Sequence, residues 1–240
     1  MAEMMRFIGI TAVIDSVLVL IAWFIIYMRH SVAELASPIL LYFLRYLIYT
    51  FVFLILIAVA MFSLEGRAQT TLVMLADVVL WISLVYMALL ALGGKSSLLR
   101  NGLIGLLLVL GFSRTIFLQL NSILGWPFGA LGSGLSGPNS IEWLLVNMDA
   151  ILMYAVWVPV AFVFLGTAFR SADSAVRARS VMFAVGLLFI TYSWVARLQL
   201  GSRSLALISI CSLVGFALLL SGVSYRKSKI PEQAQTTAAL

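Results

Sequence analysis

Seven apolar runs divide the 240-residue chain, and each is long enough to cross the hydrocarbon core of a bilayer. Hydrophobic residues make up 63% of the chain and charged residues only 10%, which excludes a water-soluble globule. Backbone polar groups cannot face lipid unpaired, and the alternating ten-residue segments of a β-barrel are absent, so each run must be helical. The sequence therefore predicts an all-α, polytopic membrane bundle of seven transmembrane helices. The runs cover residues 7–28, 39–63, 71–93, 102–124, 142–168, 181–199 and 203–225.

The orientation of the bundle follows from the Lys and Arg residues of the short connections. Nine of these residues fall on one side and three on the other, and the richer side is the cytoplasmic one. This distribution predicts an external N-terminus and a cytoplasmic C-terminus, in a plasma or cytoplasmic membrane. The richer side holds Arg29, Lys95, Arg100, Arg170, Arg177, Arg179, Arg226, Lys227 and Lys229, and the poorer side holds Arg6, Arg67 and Arg203.

The runs and their connections predict one domain, 1–225, followed by a short, basic, disordered cytoplasmic tail, 226–240. The first run is expected to be a retained helix, since it is too long for the core of a signal peptide. The long external connection, 125–140, is rich in Gly and Pro and is a flexible cap over the outer mouth, a partly re-entrant segment or a mobile loop. Gly102 and Gly105 predict one close helix contact. The very short turn before the last run predicts a helical hairpin.

The composition also excludes several kinds of chemistry. The single cysteine, Cys211, and the single histidine, His30, cannot supply a disulfide, a bis-His haem or a clustered metal site. No nucleophile elbow, phosphate-binding loop or dinucleotide fingerprint is present, so we expect no enzyme activity. The last run contains no lysine for a retinal Schiff base, and we expect no cofactor. The net charge of +6 is attributed to cytoplasmic loops and anionic headgroups, not to nucleic-acid binding.

Six charged residues lie inside the predicted spans, where each costs about 2.5–3.5 kcal/mol at mid-helix on insertion scales. The first, third and fifth spans carry one carboxylate each, and the second, fourth and sixth carry one guanidinium each. This alternation is either the trace of a repeated helical hairpin or a coincidence. The six residues are Asp15, Arg45, Asp77, Arg114, Asp149 and Arg197.

Depth along the helices places five of these charges in the outer half of the membrane. Each Asp follows the outer end of its span by six to eight residues, or about 10 Å, and both Arg114 and Arg197 are also nearer that end. Arg45 lies nearer the cytoplasmic end among tyrosines, and its side chain is expected to snorkel to that interface. The candidate ligand-binding or ion-binding residues are therefore Asp15, Asp77, Asp149, Arg114 and Arg197. Trp81, one turn after Asp77, is expected to border the resulting polar chamber.

Two interpretations of these charges remain open. In the first, Asp and Arg pair across helices only to fix helix order and register. In the second, three acids against two arginines leave one carboxylate to hold a proton or attract a cation, while the arginines tune the acids or hold an anion. The second interpretation predicts a transporter or ligand sensor for a small solute, ion or proton. The first fits a non-catalytic subunit of a larger membrane complex, with other membrane proteins as partners in addition to the lipid bilayer.

Overall fold

The computed structural model of the chain describes residues 2–30, 37–63, 67–92, 97–124, 141–200 and 205–225, with the backbone alone at several helix ends. Over these ranges the chain forms seven α-helices and no strand, which confirms the all-α prediction. The external loop 125–140 and the tail 226–240 lie outside the described residues. The helices are α1 (Ala2–Arg29), α2 (Pro38–Ser63), α3 (Arg67–Leu92), α4 (Ser97–Leu124), α5 (Ile141–Arg170), α6 (Ser174–Leu200) and α7 (Leu205–Ser224).

Six of the seven helices contain a stretch that is long and apolar enough to cross a membrane. The chain therefore has the helices of a multi-pass membrane protein. The helix for which no such stretch is found among its described residues is α4. The six stretches are Arg6–Arg29, Pro38–Phe62, Thr71–Leu90, Ile151–Arg170, Ser174–Ser193 and Leu207–Ser224.

Local sequence signals explain where two of the helices begin. Pro38 is the first residue of α2, where its missing N–H costs nothing, and the Ser37 carbonyl accepts the first helical hydrogen bond, from the Leu41 N–H. Asp173 precedes α6, and its Oδ1 accepts a hydrogen bond from the Ala175 N–H at 2.7 Å. This is the geometry of an N-cap, which satisfies a backbone donor that the helix leaves open. Three residues, 171–173, are then enough to reverse the chain between α5 and α6.

The helices form a ring that closes between the first and the last. Each helix packs against the next along the chain, α1 packs against α7, and α3 also packs against α5. Because α3 and α5 contact each other directly, α4 lies on the outside of the ring, mainly against α3. Contacts between side chains and backbones show that α2 and α3, α3 and α4, and α6 and α7 run antiparallel, whereas α1 and α7 run parallel.

Burial follows the pattern expected of a bundle in lipid. The interior contains fully buried side chains such as Tyr46, Leu84, Met153 and Ile190, contributed by four different helices. Large apolar side chains such as Leu106 and Phe162 are more than half exposed. In water, so much exposed apolar surface would drive association, but lipid tails cover it without cost. The exposed surface therefore agrees with the membrane assignment.

The expected hairpin of the last two helices is present, and glycine makes it close. A Cβ atom added to Gly215 of α7 would lie 2.8 Å from the Gly186 carbonyl oxygen of α6, and one added to Gly186 would lie 2.8 Å from the Gly215 oxygen. The two backbones thus touch where neither residue has a side chain. Between α4 and the rest of the bundle the expected contact is not found: no described atom lies within 4 Å of an ideal Cβ on Gly102 or Gly105.

The parallel contact between α1 and α7 is fixed at its end by an arginine. The Arg29 guanidinium donates hydrogen bonds to the carbonyl oxygens of Val223 and Ser224, which belong to the last turn of α7. Carbonyls in the last turn of a helix have no partner within the helix, and a cation there also interacts favourably with the negative end of the helix dipole. Arg29 therefore joins the ends of the first and last helices.

Candidate functional site

One carboxylate–guanidinium pair lies between α3 and α4. Arg114 Nη1 donates a hydrogen bond to Asp77 Oδ2 at 2.7 Å, and the two residues are 6% and 9% exposed. The predicted charges of the third and fourth spans are thus brought together in a buried ion pair. Each charge compensates the other, which is the condition under which charges are tolerated away from water.

A glycine allows α4 to approach closely enough for this pair to form. A Cβ atom on Gly111 would overlap the ring of Trp81, which is itself almost fully buried. Trp81 follows Asp77 by one turn and Gly111 precedes Arg114 by about one turn, so the two contacts are adjacent in this antiparallel pair of helices. The indole therefore packs directly on the α4 backbone beside the ion pair.

Asp15 occupies a different interface, between α1 and α7. It is 2% exposed, and its Oδ2 accepts a hydrogen bond from the Ser212 hydroxyl at 2.6 Å. Its other oxygen, Oδ1, is buried and has no hydrogen-bond partner among the described residues. Within the described part of the chain, the salt bridge that forms joins Asp77 to Arg114. Asp15 therefore has no basic partner there.

The hydroxyl groups next to Asp15 on α1 do not solvate it. Thr11 Oγ1 donates to the main-chain carbonyls of Phe7 and Ile8, and Ser16 Oγ donates to the Val13 carbonyl at 2.7 Å. These bonds satisfy the hydroxyl protons within the helix, as is usual for Ser and Thr in apolar helices. Among the described side chains, Ser212 is therefore the one that donates a hydrogen bond to the Asp15 carboxyl.

The five predicted site residues are brought together only in part. Counted from the helix ends on the Arg29 side, Asp15 and Asp77 each lie about 21–23 Å along their helices, at similar heights. Their interfaces differ, however, because α1 packs mainly on α2 and α7 whereas Asp77 pairs with α4. The side chains of Asp149 on α5 and Arg197 on α6 lie outside the described residues, so their part in the predicted chamber stays a prediction.

Arg45 lies on the exterior of the bundle. It is exposed, and its guanidinium carbon lies 5.6 Å from the ring centroid of Tyr86 on α3, the geometry of a cation–π contact. The Tyr86 ring also stacks on Tyr49, with centroids 5.4 Å apart, and is tilted against Tyr42 at 6.4 Å. One arginine and three tyrosines thus form a cluster on the outer surface of α2 and α3, which we call the Arg45 cluster.

Several polar groups of the core could not be recognised from the sequence. Ser212 has no distinguishing pattern in an apolar run, and it becomes significant only because α7 packs on α1. The indole N–H groups of Trp81 and Trp157 are buried without a hydrogen-bond partner in the described part. Buried polar atoms without partners are uncommon in proteins. An aromatic residue in a predicted span does not show which way its polar atom points.

Neither the search for a metal cluster nor the comparisons with known proteins identify a ligand for this chain. Among the described residues, no group of three or more His, Cys, Asp or Glu side chains lies together in a way that could hold a metal ion. Comparisons with known protein families, with curated proteins and with solved structures find no significant match. The site must therefore be interpreted from its own geometry.

Proposed function

We propose that this membrane protein handles a small solute, ion or proton at charged groups within the bilayer, and that Asp15 is the group that binds it. The observation that carries the proposal is the buried Asp15 carboxyl, with one oxygen bonded to Ser212 and the other without a partner among the described residues. An isolated carboxylate inside a membrane is costly, and binding of a proton or a cation offsets that cost. A proton or a small cation is accordingly the favoured ligand.

The other charges take supporting roles in this proposal. Asp77 is already compensated by Arg114, so this pair holds α3 and α4 together. Asp149 and Arg197 are the remaining candidates for contact with the ligand. The protein acts as a transporter if the ligand crosses the membrane, or as a sensor if binding alone changes its contact with a partner. We propose no catalytic step and no cofactor.

The proposed topology has seven spans, with the N-terminus outside and the C-terminus in the cytoplasm of a plasma or cytoplasmic membrane. It is supported by the position of basic residues at one end of the bundle, where α1 and α5 end and α6 begins. These residues are Arg29, Arg170, Arg177 and Arg179, and positive residues of short loops favour the cytoplasmic side. In this orientation Asp15 lies in the outer half of the bilayer.

Ligand binding at Asp15 is tested by thermal unfolding of the purified protein in mild detergent, across a pH series and with Na⁺, K⁺ or Ca²⁺ added. A ligand that binds only the folded state stabilises it, by about 2.7 kcal/mol at a concentration of 100 Kd. We expect the melting temperature of the wild type to respond to pH or to one of these cations, and the response to disappear in Asp15→Asn. The control is Asp173→Asn, which removes a carboxylate from an exposed turn while keeping an N-capping side chain.

Transport is separated from sensing by flux into sealed proteoliposomes. A pH-sensitive dye inside the vesicles reports proton entry under an imposed potential, and cation-sensitive dyes report Na⁺, K⁺ and Ca²⁺. A transporter raises the flux above that of empty vesicles, and Asp15→Asn returns it to the empty-vesicle rate. A melting response without flux identifies a sensor. If the wild type and Asp15→Asn respond alike in both assays, the proposal is wrong.

A second candidate function, a non-catalytic subunit of a larger membrane complex, is favoured by the exposed surface of α4. This helix lies outside the ring, and Gly102 and Gly105 have no described atom within 4 Å of an ideal Cβ. Small residues on a lipid-facing helix allow another helix to approach closely. A companion membrane protein retained by the wild type in mild detergent, and lost from Gly105→Leu but not from Gly166→Leu, would favour this function. A single monodisperse chain in both preparations would count against it.

A further inference from the structure

The Arg45 cluster places an exposed cation within a candidate membrane span. Arg45 is exposed within the candidate span Pro38–Phe62, seven residues from the start of α2 and therefore about 10 Å along the helix. Tyr86 lies six residues before the end of α3, at about the same level. The cluster therefore faces lipid near the end of the bundle that carries Arg29 and Arg170.

No acidic side chain compensates Arg45 within the described ranges. Its contact there is the face of the Tyr86 ring, and the salt bridge that these ranges contain involves Arg114 instead. A cation–π contact contributes about 0.5–2 kcal/mol, less than the cost of a guanidinium that faces lipid. The long side chain can reach the membrane interface, and an anion at the interface would complete its compensation.

The tyrosines give the cluster the shape of a binding site. Tyr42 and Tyr49 lie three residues before and four residues after Arg45, so all three side chains occupy one face of α2. Tyr86 stacks between them from the neighbouring helix and positions the guanidinium over its ring. Guanidinium and phenol groups both donate hydrogen bonds, and guanidinium geometry matches a phosphate through two parallel bonds.

We propose that the Arg45 cluster binds the phosphate of an anionic phospholipid headgroup, with Arg45 as the phosphate ligand and Tyr86 as its positioning residue. The position of the cluster favours a lipid over free phosphate, because the surface around it is apolar and lies within a membrane span. A basic residue near the surface of an anionic membrane contributes about 1 kcal/mol of attraction, which corresponds to about fivefold in affinity. This site is separate from Asp15, which lies in the interior between α1 and α7.

The experiment measures lipid adducts of the detergent-purified protein by native mass spectrometry. Phosphatidylglycerol is compared with phosphatidylcholine of the same acyl chains. We expect the wild type to retain phosphatidylglycerol preferentially and Arg45→Gln to bind it about fivefold more weakly. Arg45→Lys keeps the charge but not the paired donors, so an intermediate loss is expected. Tyr86→Leu should also weaken binding, since it removes the ring that positions the guanidinium.

The control is Arg100→Gln, which removes the same charge from the first turn of α4. Its lipid adducts should match those of the wild type, and all variants should keep the wild-type melting temperature within a few degrees. Equal losses in Arg45→Gln and Arg100→Gln would show a general charge effect and overturn the proposal. So would unchanged adducts in Arg45→Gln. Displacement of the lipid by millimolar inorganic phosphate would identify a soluble-anion site instead.

Discussion

Asp77→Asn is expected to destabilise the folded protein by about 3–5 kcal/mol, the usual cost of removing one partner from a buried ion pair. The substitution keeps the shape of the side chain but leaves the Arg114 guanidinium, 6% exposed, without the carboxylate that lies 2.7 Å away. Arg114→Gln should have an effect of similar size, because it leaves the Asp77 charge buried. The free energy of unfolding, measured in mixed micelles with a denaturing detergent, checks both values.

The double variant Asp77→Asn with Arg114→Gln provides the internal control. It has no uncompensated charge, so its loss should be clearly smaller than the sum of the two single losses. Asp173→Asn, in the exposed turn before α6, should change stability by less than about 0.5 kcal/mol. If the double variant loses as much as the two single variants together, the pair does not act as a unit. The geometry between α3 and α4 would then have to be reconsidered.

Gly215→Ala is expected to cost about 1–3 kcal/mol, the usual range for overpacking a tight interior. The new methyl group would lie 2.8 Å from the Gly186 carbonyl oxygen and 2.5 Å from a side-chain carbon of Ile190. Since the first of these atoms belongs to a backbone, the two helices must move apart. The same unfolding measurement reports the loss, and a cysteine cross-linking series along α6 and α7 would show the increased separation.

Gly166→Ala is the matched control for this substitution. Gly166 is also within a helix, but no described atom lies within 4 Å of its ideal Cβ. Replacing an open helical glycine by alanine reduces the flexibility of the unfolded chain, so we expect an unchanged or slightly higher stability, by up to about 1 kcal/mol. A destabilisation equal to that of Gly215→Ala would show that the loss does not come from the α6–α7 contact.

The sequence predicted the architecture well because lipid permits so few alternatives. An apolar run of 20 residues must form a helix in a bilayer, and the structure has a helix at each of the seven runs. Most helices extend beyond the apolar runs, as α4 does by starting at Ser97 instead of 102, because polar residues continue the helix outside the hydrocarbon region. The position of α4 outside the ring was not predictable, since it depends on the direct contact of α3 with α5.

The candidate site was predicted less completely than the fold. The spacing of charges identified Asp77 and Arg114 as neighbours in depth, and the structure pairs them. Asp15 lies at a similar depth but at a different interface. The depth of a residue along its helix does not show where that helix lies around the ring. Ser212 could not be found from the sequence, since one serine among aliphatic residues has many possible partners until the helix order is known.

The parallel contact of α1 with α7 has a consequence for how the protein is made. Asp15 leaves the ribosome well before Ser212, because 197 residues separate them along the chain. During synthesis the carboxyl therefore enters the membrane before its hydrogen-bond donor exists. The C-terminal turn of α7 must likewise emerge before Arg29 can bind its carbonyls. The α1–α7 contact can thus form only after α7 has been made, and a chain shortened before Ser212 would leave the Asp15 carboxyl without this donor.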